Sequence, residues 1–244
     1  MKAIALATLL GACGTTGGSL ATFDVAASGT GARSFDTATG WHVDLSTAQL
    51  HIGAVFLNLA VPISGSQETN CILPGIYTAQ ELSALDVDVL SSDRQLFPAP
   101  GTGTDDVART GEIWLTGGDI NAETDTTQIA RLAGTATKNG AVVPFTAGVT
   151  ISFANRGIPQ SDPALPSQHP ICKQRIVSPI PIELDPTDGG TLVIQVDPKP
   201  WITNIDFGAL TPDGVIPDTN TDPASQSLFT GMRAAAATFQ LSFE

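Results

Sequence analysis

Three histidines (His42, His51 and His169) and three cysteines (Cys13, Cys71 and Cys172) are all the imidazole and thiol groups the chain offers for chemistry. General-base and nucleophilic catalysis need such a group beside a hydroxyl or thiol, and no spacing in the sequence puts a nucleophile next to a histidine. The chain has no G-x-x-x-x-G-K-[ST] phosphate loop, H-E-x-x-H zinc helix, G-x-S-x-G elbow or C-x-x-C pair. Glycosidases work with two facing carboxylates, but nothing singles out a pair among the 24 acidic residues. A non-enzymatic role is therefore expected.

Metal chemistry has two sets of candidates. Asp218-x-Asn220-x-Asp222 places alternate oxygen ligands as the first half of a calcium loop does, yet Pro223 stands where the turn glycine belongs and Phe229 where the bidentate glutamate belongs. Asp119-x-Asn121-x-Glu123-x-Asp125 also lacks the glycine, so both stretches read better as solvated turns. Copper or zinc would draw on His42, His51, His169 and Met232. His42 and His51 alternate with apolar neighbours, which turns both outward; on neighbouring strands they would make half of a copper or zinc site, and the competing reading is two ordinary surface histidines. Such a site would empty below about pH 6 as the imidazoles protonate.

The elements that must position these residues are strands. Val143, Phe145, Ala147, Val149, Ile151 and Phe153 alternate with smaller or polar residues, and Lys138-Asn139-Gly140 before them signals a hairpin with Ile129 to Thr137. Phe23, Val25 and Ala27, then Trp41, Val43 and Leu45, then Leu85, Val87 and Val89, read the same way. Between Leu50 and Val61 the apolar phase switches at Gly53-Ala54, as at a bulge. Pro179 and Pro181 lie out of phase with Ile180, Ile182 and Leu184, which marks an edge strand. Thr78 to Ala84 and Gln226 to Ala237 are the two candidate short helices. About eleven strands with turn-rich links predict an all-β chain, an immunoglobulin-like or related two-sheet sandwich.

The N-terminus predicts location. Met1-Lys2, the apolar run Ala3 to Leu10 and the small Gly11-Ala12 read as an export signal over residues 1–12. Leu10-Gly11-Ala12-Cys13 resembles the lipobox of bacterial lipoproteins, which implies cleavage before Cys13 and acylation of its thiol and new N-terminus. The alternatives are a soluble secreted protein cut nearby, or a buried first strand. Residues 13–18 then form a flexible tether, and 19–244 a single domain. With Cys13 lipidated in an oxidising compartment, Cys71 and Cys172 are the expected disulfide, closing a loop worth about 4 to 5 kcal/mol in the chain-entropy treatment.

The net charge of −13, from 24 acidic against 11 basic residues, leaves no basic surface for nucleic acid. Contact with a membrane is expected through the lipid at Cys13, in the periplasm or at the outer membrane. Phe23-x-Val25, Gly40-Trp41-x-Val43-x-Leu45, Ala48-x-Leu50-x-Ile52-x-x-Val55-x-Leu57 and Val196-Asp197-Pro198 together resemble the secreted MbnP-like copper-binding proteins of methanobactin operons. That resemblance implies a periplasmic β-sandwich, a copper link and a di-haem partner that oxidises tryptophan. Many members of the family carry four cysteines, whereas here two remain besides Cys13. The leading expectation is a lipid-anchored β-sandwich that binds a ligand at the cell envelope or serves a structural role there; the alternative is a periplasmic copper- or zinc-binding protein.

Overall fold

The computed structural model describes residues 18–60, 76–157 and 171–244. Cys13, Cys71, His169, the export signal and all but the last tether residue lie outside them. Among the described residues, the larger sheet runs in the order β12 (Ile176–Leu184), β9 (Ala108–Trp114), β4 (Ala54–Asn58), β5 (Tyr77–Glu81), β8 (Gly101–Thr104), β1 (Leu20–Gly29), β13 (Thr191–Val196) and β15 (Phe239–Phe243). A short β7 (Gln95–Leu96) also pairs with β1. The smaller sheet runs β14 (Val215–Ile216), β11 (Ala141–Val149), β10 (Ala130–Lys138), β3 (His42–Ile52) and β2 (Ser34–Asp36), with β6 (Leu85–Asp88) pairing beside β3. Among the described residues, five short helices fill the connections: α1 (Phe153–Arg156), α2 (Cys172–Arg175), α3 (Lys199–Ile202), α4 (Pro223–Met232) and α5 (Ala235–Thr238).

The alternation read from the sequence builds one core between these sheets. Val43, Leu45, Leu50 and Ile52 of the smaller sheet and Phe23, Val25, Val55, Leu57 and Ile113 of the larger are all buried in it. Each such side chain contributes about 1.5–3 kcal/mol on leaving water. The β10–β11 hairpin pairs antiparallel from Lys138↔Ala141 to Ala130↔Val149. Asn139 (φ 50°) and Gly140 (φ 82°) take the left-handed backbone that a two-residue hairpin turn requires. The proline-bearing β12 does lie at the end of its sheet.

Four local expectations are corrected. The phase switch at Gly53 is not a bulge within one strand; it is where the chain leaves the smaller sheet at Ile52 and enters the larger at Ala54. A Cβ on Gly53 would lie 2.0 Å from the Thr116 carbonyl oxygen, so only glycine fits this corner. Thr78 to Ala84 is not helical: β5 fills the slot between β4 and β8, and tertiary pairing overrides a weak local preference. Gln226 to Ala237 divides into α4 and α5, with a break at Arg233-Ala234. Phe153 leaves the buried phase, because β11 ends at Val149 and Phe153 opens α1 half-exposed.

The acidic stretches are committed to the fold. Asp222 caps α4 by accepting from the Ser225 N–H at 2.9 Å. Asp218 pairs with the buried Arg156 at 2.6 Å and accepts from the Thr150 N–H and hydroxyl at 2.9 and 2.7 Å. Asp125 accepts from the N–H groups of Thr127 and Gly117; with Arg175 nearby, these outweigh burial and hold its carboxyl below the usual range. Arg175, with no exposed surface, is bound by the carbonyls of Ile151, Asp119 and Ile120.

Candidate functional site

Strand β3 carries both described histidines on the outer face of the smaller sheet. An unbroken strand would turn His42 and His51, nine positions apart, to opposite faces. A register shift in the β10–β3 pairing, which takes Gly134↔Leu45 to Ala133↔Thr47, leaves Ser46 unopposed and resets the phase. The sequence reading of two outward histidines is thus right about the face. Its placement on neighbouring strands is corrected: both sit on one strand, roughly 30 Å apart at about 3.3 Å per residue, and cannot share an ion. His169 lies outside the described residues, and Met232 is fully buried.

His51 is held by a strand that sequence reasoning paired with nothing. The β3–β6 register sets Asp86 opposite it, and its Nδ1 lies 2.7 Å from Asp86 Oδ1. This bond fixes the ring and leaves Nε2 pointing the other way; Nε2 is shielded from solvent and has no hydrogen-bond partner. His51 borders a recess of about 380 Å³ lined by the polar Gln49, Asp86, Thr127, Gln128 and Arg131 and the apolar Leu50 and Ile129. Arg131 donates from Nε to the Gln128 side-chain oxygen. The recess therefore combines amide, guanidinium and imidazole groups with one carboxylate.

At the other end of β3, His42 Nδ1 lies 2.8 Å from Asp36 Oδ1 and Nε2 lies 3.0 Å from Ser34 Oγ. Asp44 Oδ1 is 3.8 Å from Nε2. The pairings Asp36↔His42 and Ser34↔Asp44 bring these groups together across β2 and β3. The hydrogen bond to Asp36 raises the His42 pKa above its ordinary value against desolvation, and the charges of Asp44 and Asp36 add to the rise. Sequence reasoning placed no nucleophile beside a histidine. Ser34 is so placed, and the signal available was the S-F-D run eight residues before His42 at hairpin distance.

The larger sheet buries polar groups on its own outer face. Phe56 stacks edge-on to Tyr77 at 5.3 Å and tilted on Trp114 at 4.6 Å between ring centres. Beside them Glu112 is fully buried and accepts from Trp114 Nε1, while both amide atoms of Asn58 have no partner. Burial pushes the Glu112 carboxyl above its usual range, against the donors around it. It also pushes the Tyr77 phenol, with the Glu112 charge nearby, up to about 12.

Cys172 is fully buried against Ile120, Ile176 and Trp114 and is not a titrating thiol. Among the described residues, no group of three or more His, Cys, Asp or Glu is placed to hold a metal ion, and no helix is long and apolar enough to cross a membrane. No protein-family model matches the chain, and neither a curated protein nor a solved structure is significantly similar to it.

Proposed function

We propose that the protein is a lipid-anchored binding module of the bacterial cell envelope, and that its ligand site is the recess beside His51. The observation that carries the site is the His51 imidazole, oriented by Asp86 and left with a shielded, unpartnered Nε2, beside a recess where amide and guanidinium groups meet the aliphatic Leu50 and Ile129. A shielded acceptor nitrogen without a partner costs roughly 1–3 kcal/mol, which a ligand hydroxyl donating to the ring would offset. Arg131 and the two glutamine amides favour acceptor oxygens on a small polar ligand, and the His51 Nε2 favours a hydroxyl beside them, as in a hydroxy acid. The anchor rests on Cys13 and the tether after it. Parallel pairing of β1 with β13 and of β11 with β14 favours a relative of the immunoglobulin sandwich over that fold itself, which is antiparallel.

Screening a panel of hydroxy and dicarboxylic acids by thermal shift tests the site. A ligand that stabilises the parent, and fails to stabilise both His51→Ala and Arg131→Ala, supports it. If every stabilising ligand acts equally on these variants, the site is elsewhere. The second reading is copper or zinc on His51, favoured by one observation: a carboxylate on Nδ1 is the arrangement that readies Nε2 as a metal ligand. Metal analysis of untagged protein purified without chelator separates the two. Stoichiometric copper or zinc lost in His51→Ala supports the metal, and metal-free parent protein rejects it.

A further inference from the structure

The hydrogen-bond chain at the edge of the smaller sheet has the connectivity of a serine nucleophile with its base. Ser34 Oγ meets Nε2 of His42 at 3.0 Å, and the opposite ring nitrogen, Nδ1, meets Asp36 at 2.8 Å. A carboxylate on Nδ1 keeps the proton there, so Nε2 is the acceptor facing the hydroxyl. We infer that Ser34 is an activated nucleophile, with His42 as its general base and Asp36 positioning the ring, and that it transfers acyl groups from carboxylic esters.

One further feature of the edge agrees with this role, and another restricts the substrate. β2 ends its sheet, and its ladder bonds Arg33 O to Leu45 N at 2.7 Å and Thr37 N to Trp41 O at 2.8 Å. Alternation along an antiparallel pair then turns the N–H groups of Ser34 and Asp36 to the open side. The Ser34 N–H is thus free to donate to an ester oxygen as it gains charge. The surroundings are open and have no acyl cleft, since Asp36 is 84% and the His42 side chain 50% exposed. The fitting substrate is therefore an ester borne by a larger molecule that supplies its own contact surface.

The step balances without any further reactant than water. The Ser34 oxygen bonds the carbonyl carbon as its proton passes to His42 Nε2; the C–O bond to the leaving alkoxide breaks, and that oxygen takes the proton from Nε2. Water then attacks the acyl-serine carbonyl, yields a proton to Nε2, and the acid leaves as Ser34 recovers its proton. The charged groups facing the imidazole are Asp36 on β2 and Asp44 on β3. From β10 the neighbours are Thr137 and Thr135, while Lys138 binds the Thr39 carbonyl. Both carboxylates favour the imidazolium, so the reaction should gain rate with pH through an inflection above the usual histidine value.

The test is fluorophosphonate labelling with peptide mapping, together with hydrolysis of p-nitrophenyl acetate, on the full chain. The inference expects label on Ser34 and hydrolysis that falls roughly 100-fold or more in Ser34→Ala and in His42→Gln, the range a positioned base contributes. In Asp36→Asn the inflection should move to lower pH, which loss of a merely structural contact would not produce. All three side chains are on the surface, and circular dichroism of each variant confirms its fold. Absence of label on Ser34, or hydrolysis unchanged in folded Ser34→Ala, overturns it. The recess at His51 is not involved, so this result and the ligand screen fail independently.

Discussion

A histidine between carboxylates is a proton store whose affinity is readable directly. His42 should titrate above 6.5 in an imidazole ¹H–¹⁵N titration, and Asp36→Asn should lower it, because the Asp36 hydrogen bond is the largest cause of the rise. A raised histidine stabilises the fold below the unfolded pKa, and that contribution is lost as pH rises through the folded value. An unchanged His42 pKa in the variant would show that Asp36 does not hold the ring. Arg156 makes the converse case. Its side chain is 2% exposed, and Asp218 is its only carboxylate partner among the described residues. Asp218→Ala leaves that charge with only the Thr219 carbonyl, the Ser225 hydroxyl and the Phe229 ring, and should cost about 3 kcal/mol, the lower end for a broken buried pair since Asp218 is itself partly exposed. Urea denaturation checks the loss; a cost under about 1 kcal/mol would mean that water reaches the guanidinium.

The Gly53 corner decides which sheet each half of the β3–β4 segment joins. Gly53→Ala brings a Cβ to 2.0 Å from the Thr116 carbonyl, and the backbone must shift at a cost of about 1–3 kcal/mol, measurable as a lower denaturant midpoint. Corners like this explain what the sequence does and does not reveal. Period-two alternation made β3, β11 and the first half of β1 legible because each has one buried face there, and the Asn139-Gly140 turn made β10 legible as the partner of β11. The β12 edge was legible because proline cannot join a ladder on both sides. The change of sheet at Gly53 was not, since a bulge and a crossing leave the same switch of phase. Nor was β5, whose strand state comes from its two neighbours. At the sites, the outward phase of the histidines was legible. Their partners Ser34, Asp36 and Asp86 were not, because cross-strand register belongs to pairings that one sequence does not spell out.

For the whole molecule, the proposed anchor and disulfide are separable. Cys13→Ser should move the protein from the membrane to the soluble fraction of a bacterial host; retention on membranes after a salt wash would place the anchor elsewhere. A Cys71–Cys172 bond predicts no free thiol in unfolded, unreduced periplasmic protein lacking Cys13, and two reactive thiols would defeat it. The placement of β1 has a kinetic side. Its parallel partner β13 comes from the far end of the chain, and Thr22 receives its carboxylate acceptor from Asp188, 166 positions away. Such pairing has a high contact order, so the loop must close before its reward arrives and folding is slow. The inner strands of the larger sheet cannot be completed until nearly the whole polypeptide has left the ribosome. Export as proposed would ask such a chain to cross a translocation channel unfolded, and late closure of this sheet would keep it in that state.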